Sequence, residues 1–241
     1  MTKIHSKIAI IITAAGSSTR IGGNTKKEYL PLHNGTVLSN CANAFFKACS
    51  KNYIITDFII TCPTGQTPEA RAGQISLCKN ALKDFNYADL GDLFRIVPGS
   101  TSRQKSVFEG IKAVTNNPDI VVIHDGARPF VTEDVICRSI DAAIKYGASV
   151  PGCTPVDTQK ELNQEGFIVR HLQRSMLTAV QTPQCFEYER LLTAHKKAVL
   201  DKKEYTDDTE IWGVYCGNVK VVEGDPNNIK ITFPKDLENL K

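Results

Sequence analysis

The stretch Ile8-Ala9-Ile10-Ile11-Ile12-Thr13-Ala14-Ala15-Gly16 decides the fold of this chain. Residues 8–12 form a continuous apolar and mostly β-branched run, which is typical of a strand buried on both faces of a parallel sheet. The run stops at small residues, which allow backbone N–H groups to approach a ligand closely and to bind phosphate. The stretch therefore predicts an α/β fold whose first strand leads into a binding turn.

Helical and strand patterns alternate beyond this first strand. Apolar residues at helical spacing predict helices near residues 38–49, 101–114 and 132–147, and a polar stretch from about residue 68 to residue 85 is interpreted as a further helix. Short apolar runs predict strands at 58–60, 93–97, 120–123 and 148–150. Such alternation predicts a Rossmann-like, mostly parallel sheet flanked by helices, with a ligand crevice at the carboxyl ends of the strands.

Local signals mark the ends of two of these helices. Thr101 and Gln104 have the spacing of a capping box, in which the threonine would cap the third helix. The fourth helix is expected to begin near Thr132 and to stop at Gly147. Its predicted buried face consists of Ile136, Ile140 and Ile144.

The segment 154–186 interrupts the alternation. Residues 163–166, Asn-Gln-Glu-Gly, read as a turn between two extended stretches, which predicts a projecting β-hairpin arm. Exposed strand edges need a cover, and a second subunit is the simplest one, so we expect a homodimer through this arm. After it, the patterns predict helices near 187–200 and 208–213, strands near 220–223 and 229–232, and a short C-terminal helix.

The bulk composition is that of an ordinary folded protein. With 241 residues, 41% hydrophobic and 23% charged, we expect residues 1–241 to form a single domain. The formal charge of +3 comes without a long basic run, so nucleic acid is not an expected partner. The apolar run after Lys3 and Lys7 is only about six residues long, too short for export or for crossing a membrane. We expect a cytoplasmic protein that has no membrane partner.

The eight cysteines are scattered, and no CxxC pair occurs. Several of them lie inside apolar segments, as Cys62 does. This distribution favours buried free thiols in a reducing compartment, with neither disulfides nor zinc.

The turn after the first strand is followed by two cations, Arg20 and Lys27. Two cations beside a glycine turn suit a triphosphate. The segment matches neither GxGxxG nor a Walker loop, and by itself a small-residue turn is more typical of a simple tight turn. The phosphate hypothesis therefore needs support from other parts of the chain.

Residues 98–103, Pro-Gly-Ser-Thr-Ser-Arg, follow the predicted strand at 93–97. They end at a helix N-terminus, which favours polar or anionic groups, and Ser106 lies one turn inside that helix. The alternative is a simple capped helix with no ligand.

Residues 124–129, His-Asp-Gly-Ala-Arg-Pro, end the strand at 120–123. Asp125 would place a carboxylate where Mg²⁺ bridging phosphates needs an oxygen ligand, so it is the metal candidate. The alternative is an aspartate that only caps the turn, because Gly126 and Pro129 are turn residues. His124 is expected to be structural.

Eight short sequence motifs follow one another in order between about residue 8 and residue 238. They are Ala14-Ala15-Gly16 with Arg20, Lys27-Glu28-Tyr29-Leu30, Gly99 with Arg103 and Ser106-Val107, His124 to Pro129, Asp157-Thr158-Gln159-Lys160, Gln181-Thr182-Pro183-Gln184, Thr206-Asp207-Asp208, and Asn228 to Thr232. Together they resemble the cytidylyltransferases of the non-mevalonate isoprenoid pathway. The resemblance implies a fold of the nucleotide-diphospho-sugar transferase type.

The resemblance also implies an activity and its site residues. Enzymes of this family transfer CMP from CTP to 2-C-methyl-D-erythritol 4-phosphate with the help of Mg²⁺, which Asp125 would bind. Arg20 and Lys27 resemble the pair that stabilises the CTP phosphates in the transition state, and Arg174 and Lys230 resemble the pair that positions the acceptor phosphate. The pocket for the cytidine nucleotide would be formed by Ala14, Ala15, Gly16, Gly99, Arg103 and Ser106. The acceptor side would be lined by Asp125, Arg128, Thr158 and Thr182, and in this family some residues of the arm serve the neighbouring subunit's site.

Two other functions remain open from the sequence. Ribitol-5-phosphate cytidylyltransferases share the fold, CTP and most of the eight motifs, although residues 157–160 and 206–208 favour the methylerythritol enzyme. A non-catalytic nucleotide-binding regulator would be expected to lose some of the cations, and all four are present. The chain departs from the family pattern at Ser18, where a second glycine is common, and at Lys26, which replaces a proline and could share the role of Lys27.

Overall fold

A computed structural model describes residues 6–16, 25–233 and 235–236 of the chain. Its strands are β1 (Lys7–Thr13), β2 (Pro31–Leu32), β3 (Gly35–Thr36), β4 (Ile54–Cys62), β5 (Phe94–Pro98), β6 (Ile120–Asp125), β7 (Ala148–Cys153), β8 (Lys160–Leu162), β9 (Ile168–His171), β10 (Ala179–Val180), β11 (Gln184–Glu187) and β12 (Lys220–Glu223). Its α-helices are α1 (Val37–Cys49), α2 (Pro68–Ala81), α3 (Arg103–Lys112), α4 (Glu133–Tyr146), α5 (Tyr188–Leu200) and α6 (Asp208–Tyr215).

The central sheet of the described residues has eight strands in the order β10-β7-β11-β6-β1-β4-β5, with β12 also paired to β7. Strand β1 lies in the middle and is parallel to both β4 and β6, and β4 is parallel to β5. Strand β11 is inserted antiparallel between β6 and β7. The mostly parallel sheet flanked by helices that the sequence predicts is confirmed.

The apolar run of β1 is buried on both faces of the sheet. Ile8, Ile10 and Ile12 pack in one cluster with residues of α1 and α4. Ala9 and Ile11 pack in a second cluster with residues of α3, α5 and α6. All five side chains are fully buried, which explains why this strand has no polar alternation.

Two of the predicted helix details are wrong. The cap of α3 is Ser102, whose side chain accepts a hydrogen bond from the backbone N–H of Lys105, and not Thr101. Ser102 has the extended backbone that an N-cap requires, so the helix begins one residue later than the capping-box spacing indicates. Ile136 and Ile140 are buried as predicted, but Ile144 is 44% exposed, because eight residues of helix turn its side chain about 80° away from that of Ile136. The predicted start at Thr132 and stop at Gly147 are confirmed.

The segment predicted as an arm divides into two parts. Strands β8 and β9 form a separate two-stranded antiparallel sheet around the turn at residues 163–166. Residues 179–187 do not continue this hairpin, because β10 and β11 return to the central sheet. The predicted boundary at residue 186 is therefore too late. The use of the hairpin in dimerisation stays a prediction.

Of the two strands predicted in the C-terminal part of the chain, one is confirmed and one is wrong. Strand β12 is confirmed, but residues 229–232 form an extended loop and not a strand. The predicted C-terminal helix falls mostly on residues outside the described part of the chain.

The single tryptophan of the chain, Trp212 in α6, is 1% exposed. Its ring lies 5.5 Å from that of Phe186 in β11, between ring centroids, and the Arg190 guanidinium stacks on it at 4.6 Å. Its indole N–H donates to the carbonyl oxygen of Asn218 at 3.2 Å. Trp212 therefore packs α6 against the sheet.

All eight cysteines are free thiols, and five of them are buried. Burial raises the pKa of the Cys62 thiol to about 11 and that of Cys78 to about 12, so both remain protonated at neutral pH. Within the described residues no helix has the length and apolarity needed to cross a membrane.

Candidate active site

The carboxyl ends of β1, β5 and β6 meet at one edge of the sheet. Backbone hydrogen bonds tie the segments beyond them together: the N–H of Ala14 donates to Thr61 at 2.9 Å, and that of Gly99 donates to Cys62 at 2.7 Å. The N–H of Gly126 donates to the carbonyl oxygen of Thr13 at 2.9 Å. The three segments that the sequence analysis selects are therefore neighbours in space.

Gly99 allows two of these segments to touch. A Cβ at this position would collide with the Cβ of Ala15 and would lie 2.8 Å from Oγ of Ser106. Ser106 in turn fixes the start of α3, because its hydroxyl accepts from the N–H of Ser100 at 2.9 Å and donates to the carbonyl oxygen of Ser102 at 2.8 Å. Gly99 thus acts through close packing, and Ser100 and Ser106 face the space beside it.

A cavity of about 440 Å³ opens at this edge. It is lined by Thr13, Ala15, Gly16, Lys27, Glu28, Ser100, Thr101, Ser102, Arg103, Ser106, Asp125, Ala127, Lys230 and Thr232. The lining combines three cations with two carboxylates and a row of hydroxyl groups. This composition suits a ligand that carries phosphate.

Asp125 is the centre of the charges around the cavity. Its Oδ2 lies 2.7 Å from Nζ of Lys230, and its Oδ1 lies 3.4 Å from Nε of Arg103. Nε of Arg128 is 3.9 Å from Oδ2. Burial opposes ionisation of this carboxyl, but Arg103 and Lys230, with a smaller contribution from Arg128, outweigh it and hold its pKa well below the usual range. Asp125 is therefore a carboxylate at any physiological pH.

Lys230 reaches the cavity on the extended loop at 229–232. The N–H of Ile231 donates to the carbonyl oxygen of Ala127 at 2.9 Å, and Nη1 of Arg128 donates to the carbonyl oxygen of Asn228 at 2.7 Å. Lys27, which is only 9% exposed, donates from Nζ to the carbonyl oxygen of Ile231 at 2.8 Å. Two of the four predicted catalytic cations are thus anchored to the same short loop.

Thr182 and Arg128 lie behind Asp125 and do not line the cavity. The Thr182 hydroxyl accepts from the backbone N–H of Asp125 at 3.1 Å and lies 2.9 Å from Nδ1 of His124. Nε2 of His124 is 3.0 Å from the carbonyl oxygen of Arg128. Because a carbonyl only accepts, Nε2 carries the ring proton and Nδ1 accepts from Thr182. These bonds fix the backbone on both sides of Asp125.

His124 is fully buried, and its burial lowers its pKa to about 4. The imidazole is therefore neutral at physiological pH, as the hydrogen bonds on its two nitrogens require. The expectation that His124 is structural is consistent with its position behind the cavity wall.

Arg103 has a second carboxylate behind it. Its Nη1 lies 2.8 Å from Oδ2 of Asp208, and Oδ1 of Asp208 is 3.1 Å from Nε2 of His195. Burial opposes ionisation of Asp208, but Arg103 and His195 lower its pKa below the ordinary value. Asp208 and His195 are both fully buried, and sequence reasoning assigned neither of them a role at the site.

Several predicted site residues lie elsewhere or outside the described chain. Arg20 falls in residues 17–24, which the structure does not describe. Arg174 and Thr158 are exposed beside the β8–β9 hairpin and do not line the cavity; Nη1 of Arg174 donates to the carbonyl oxygen of Val156 at 2.6 Å. Ala14 is buried beneath the turn, whereas Ala15 and Gly16 line the cavity.

Lys26 lies on the other side of the glycine turn from Lys27. It lines a separate cavity of about 450 Å³ together with Tyr29, and its Nζ donates to the carbonyl oxygen of Gly16. Partial burial lowers its pKa. Lys26 therefore contacts the turn itself and does not line the cavity of Lys27.

Some residues around the cavity have no predicted role. Glu28 belongs to the motif at residues 27–30 without a role of its own, yet it is 3% exposed and lines the cavity. Thr13 ends β1 opposite Asp125 in the strand pairing, so its position at the carboxyl edge was a usable signal. Thr232 has no such signal, because it belongs to a loop that only tertiary structure brings here.

The donor set around Asp125 limits how a metal ion could be held. Within the part of the chain that the structure describes, no group of three or more His, Cys, Asp or Glu side chains is gathered to hold one. Mg²⁺ commonly uses one or two carboxylates and takes its other oxygen ligands from substrate phosphates and water. Asp125, an ionised carboxylate on the cavity wall, fits that mode of binding.

The cavity at the carboxyl edge of this mostly parallel sheet has a lining that suits phosphorylated ligands. The model of the family IspD, 2-C-methyl-D-erythritol 4-phosphate cytidylyltransferase, matches residues 8–240. A relative of that name from Clostridium novyi (strain NT) is 38% identical over 244 residues, covering 98% of this chain and 99% of the relative. Another of that name, from Clostridium botulinum (strain 657 / Type Ba4), is 37% identical over 232 residues, covering 96% of this chain and 95% of the relative.

A solved structure gives the same result. The 4-diphosphocytidyl-2C-methyl-D-erythritolsynthase from Anaerococcus prevotii DSM 20548 superposes with a TM-score of 0.80 at 27% identity, covering 98% of this chain and 94% of that one. The chain belongs to the IspD family of 2-C-methyl-D-erythritol 4-phosphate cytidylyltransferases. The family resemblance inferred from the sequence is confirmed.

Proposed function

We propose that this chain transfers CMP from CTP to 2-C-methyl-D-erythritol 4-phosphate, forming 4-diphosphocytidyl-2-C-methyl-D-erythritol and pyrophosphate. Family membership over nearly the whole chain supports this reaction. The structural observation that carries it is the convergence of Lys27, Arg103 and Lys230 around one cavity with the ionised Asp125.

The reaction depends on positioning the two substrates and stabilising their charge more than on a nucleophilic side chain. An oxygen of the acceptor phosphate forms a bond to the α-phosphorus of CTP, and the bond from that phosphorus to the bridging oxygen of pyrophosphate breaks. Pyrophosphate leaves with the electron pair of that bond. A phosphate monoester is largely a dianion at neutral pH, so no general base has to remove a proton. The acceptor phosphate and the CTP phosphates must be held close together, and fixed cations stabilise this arrangement of two anions.

The cations divide into two pairs in this proposal. Arg20 and Lys27 stabilise the charge on the CTP phosphates as the pentacoordinate arrangement forms. Lys230 and Arg174 position the acceptor phosphate. Lys27 is well suited to its role, because the carbonyl of Ile231 and its own burial hold the ammonium in place before substrate binds.

The remaining predicted residues belong to the two substrate sides, some of them through neighbours that line the cavity. Ala14, Ala15, Gly16, Gly99, Arg103 and Ser106 form the side of the cytidine nucleotide. Asp125, Arg128, Thr158 and Thr182 form the acceptor side, with Arg128 and Thr182 acting through the Asp125 segment that they contact.

We further propose that the divalent cation is Mg²⁺ and that Asp125 holds it. When bound, Mg²⁺ neutralises the charge of the triphosphate. The carboxylate is ionised and faces the cavity, and the cations beside it keep its pKa low. Lys230 contacts the same carboxylate, so Asp125 would hold the metal ion beside a fixed ammonium.

We propose a homodimer formed through the β8–β9 hairpin. Large apolar side chains are exposed along it, among them Phe167 at 66% and Val169 at 57%. A face of this kind needs a cover, and a second copy would also bring Thr158 and Arg174 to a neighbouring cavity. Sedimentation of the wild type and of Phe167→Lys tests this: we expect a dimer and a monomer, respectively, and a monomeric wild type would refute it.

Two smaller proposals concern the whole chain. We propose that residues 1–241 act as a single domain, since one central sheet draws strands from residue 7 to residue 223. We also propose a cytoplasmic location, because eight free thiols are typical of proteins kept in a reducing compartment.

A pyrophosphate-release assay tests the proposed reaction. Wild-type protein with CTP and Mg²⁺ is supplied with 2-C-methyl-D-erythritol 4-phosphate, with ribitol 5-phosphate or with no acceptor, and ³¹P spectra identify the diphosphate product. We expect release only with the methylerythritol phosphate, and its loss in Asp125→Asn. Faster release with ribitol 5-phosphate would make the chain a ribitol-phosphate enzyme. CTP binding without any release would indicate a regulator.

A further inference from the structure

The buried pair of Asp208 and His195 lies behind Arg103 and has no part in the reaction described so far. We propose that Asp208, supported by His195, is a positioning residue that fixes the Arg103 guanidinium for binding CTP. The proposal rests on the proposed function in one respect, namely that the ligand of Arg103 is CTP.

The guanidinium of Arg103 is held between two carboxylates. Nη1 lies 2.8 Å from Asp208 and Nε lies 3.4 Å from Asp125. Nη2 makes no hydrogen bond to the residues that the structure describes, and the side chain, 27% exposed, lines the cavity. Contacts on two of the three nitrogens fix the plane of the group and leave the third for a ligand. A lysine ammonium, which is a compact point charge on a flexible stem, would not fix a plane in this way.

Asp208 is itself fixed relative to Asp125. Its backbone N–H donates to Oε1 of Gln184 at 3.2 Å. Gln184 begins β11, where it pairs with Ile123 of β6, two residues before Asp125. The two carboxylates that hold Arg103 are therefore linked through neighbouring strands of one sheet.

His195 supports Asp208 from the side away from Arg103. Its Nε2 is 3.1 Å from Oδ1 of Asp208, and its ring stacks on Phe108 of α3 at 5.5 Å between centroids. Arg103 begins that same helix. The histidine thus connects the carboxylate to the helix that carries the arginine, and it occupies the oxygen of Asp208 that Arg103 does not use.

A purely structural ion pair between Arg103 and Asp208 would differ from a positioning contact in what its loss changes. A buried ion pair contributes little net stability compared with a well-packed apolar pair, because both charges lose hydration. A positioning role predicts that loss of Asp208 weakens CTP binding only as far as Arg103 takes part in it. The effects of the two residues on CTP binding should then be coupled.

Calorimetric binding of CTP, which needs no turnover, tests this coupling. We expect Asp208→Asn to raise the Kd for CTP about tenfold, within the range of coupling between contacting residues. An asparagine carries no charge, so its contact with the Arg103 guanidinium is weakened even where its oxygen still accepts from Nη1. Arg103→Ala should weaken binding at least as much, and the double variant should equal Arg103→Ala alone. Unchanged CTP affinity in Asp208→Asn, or additive effects, would overturn the proposal.

Glu189→Gln is the matched control. Glu189 is an exposed carboxylate in the first turn of α5, so its change to an amide should leave the CTP affinity at the wild-type level. A tenfold loss in this control would show that the effect does not depend on the contact with Arg103 and would overturn the role of Asp208.

His195→Gln carries the test if Asp208→Asn does not fold. It removes the ring that supports Asp208 and should raise the Kd for CTP about threefold, the size of a small coupling; wild-type affinity would overturn the proposal. The pyrophosphate assay separates this result from the proposed function. Coupled CTP binding without transfer to either acceptor would leave Asp208 as a positioning residue and refute the reaction. A wild type that does not bind CTP would refute both.

Discussion

The cavity at the sheet edge and the β8–β9 hairpin hold their cations in opposite ways. In the cavity, Lys27 contacts a carbonyl 204 residues away in sequence, and Arg103 contacts a carboxylate 105 residues away. On the hairpin side, Arg174 is exposed and donates to Val156, 18 residues away.

This difference separates a preorganised half of the proposed site from a half that is ordered by binding. Fixed cations in a partly buried cavity need no reorganisation when phosphate arrives. An exposed arginine contributes only after a ligand or a second subunit restricts it. Substitutions in the two regions should therefore affect different quantities.

The largest expected effect is that of Lys27→Ala. We expect kcat to fall by about 10²–10³-fold, the usual cost of removing one fixed donor to a developing charge, while the KM for CTP changes little. Steady-state kinetics with varied CTP checks this. Lys196→Ala, on the exposed face of α5, is the matched control and should keep the wild-type kcat. A raised KM with normal kcat would place Lys27 in ground-state binding.

The buried half should also show itself in the dependence of stability on pH. His124 has a pKa of about 4 when folded and about 6.5 when unfolded, so between these values the unfolded chain binds more protons. Stability therefore falls as the pH falls from 6.5 to 4, by about 3 kcal/mol from this residue. The carboxylates whose pKa values are depressed lose their contribution only at lower pH.

Urea unfolding between pH 7 and pH 5, above the range in which the carboxylates lose their contribution, measures the contribution of His124. The slope should be absent in His124→Asn and present in His33→Asn, where an exposed histidine with positive φ is replaced by a residue that tolerates this conformation. An equal slope in both variants would contradict the buried neutral imidazole.

A smaller effect is expected where the backbone of the cavity wall is packed most closely. Gly99→Ala should lower the free energy of unfolding by about 1–3 kcal/mol, because its Cβ meets Ala15 and Ser106 and the segments must move apart. Gly73→Ala in α2, where a Cβ meets nothing within 4 Å, should stabilise the protein by about 0.5–1 kcal/mol. Thermal or urea unfolding of both variants tests this prediction. If Gly99→Ala were as stable as the wild type, the close contact at Gly99 would be refuted.

The smallest effect is expected on the hairpin side. Arg174→Ala should raise the KM for the acceptor about tenfold and change the free energy of unfolding by less than about 0.5 kcal/mol, as is usual for exposed sites. Arg170→Ala, which removes an exposed arginine paired with Glu161, should leave the KM unchanged. Normal acceptor kinetics in Arg174→Ala would remove it from the site.

Much of the sheet and the place of the site could be predicted from the sequence. Apolar runs predict buried strands at residues 8–12 and 120–123, and parallel strands bring their carboxyl ends to one edge of the sheet. The segments after them could therefore be expected to meet, as Ala15, Ser100 and Asp125 do.

The rest depends on contacts that no local pattern records. Strand β11 has four residues and owes its place to pairing on both sides with β6 and β7. Asp208 resembles any acidic residue in a first helical turn until the fold brings Arg103 to it. Lys230 lies in a loop whose apolar residues resemble a strand in the sequence.

The packing of Trp212 provides a built-in optical reporter. It is the only indole in the sequence and lies four residues after Asp208 on the same helix, so its emission reports on one known place. Its burial against Phe186 should give blue-shifted fluorescence, which shifts to the red when α6 separates from the sheet. Unfolding can therefore be followed in the unmodified protein without any added dye.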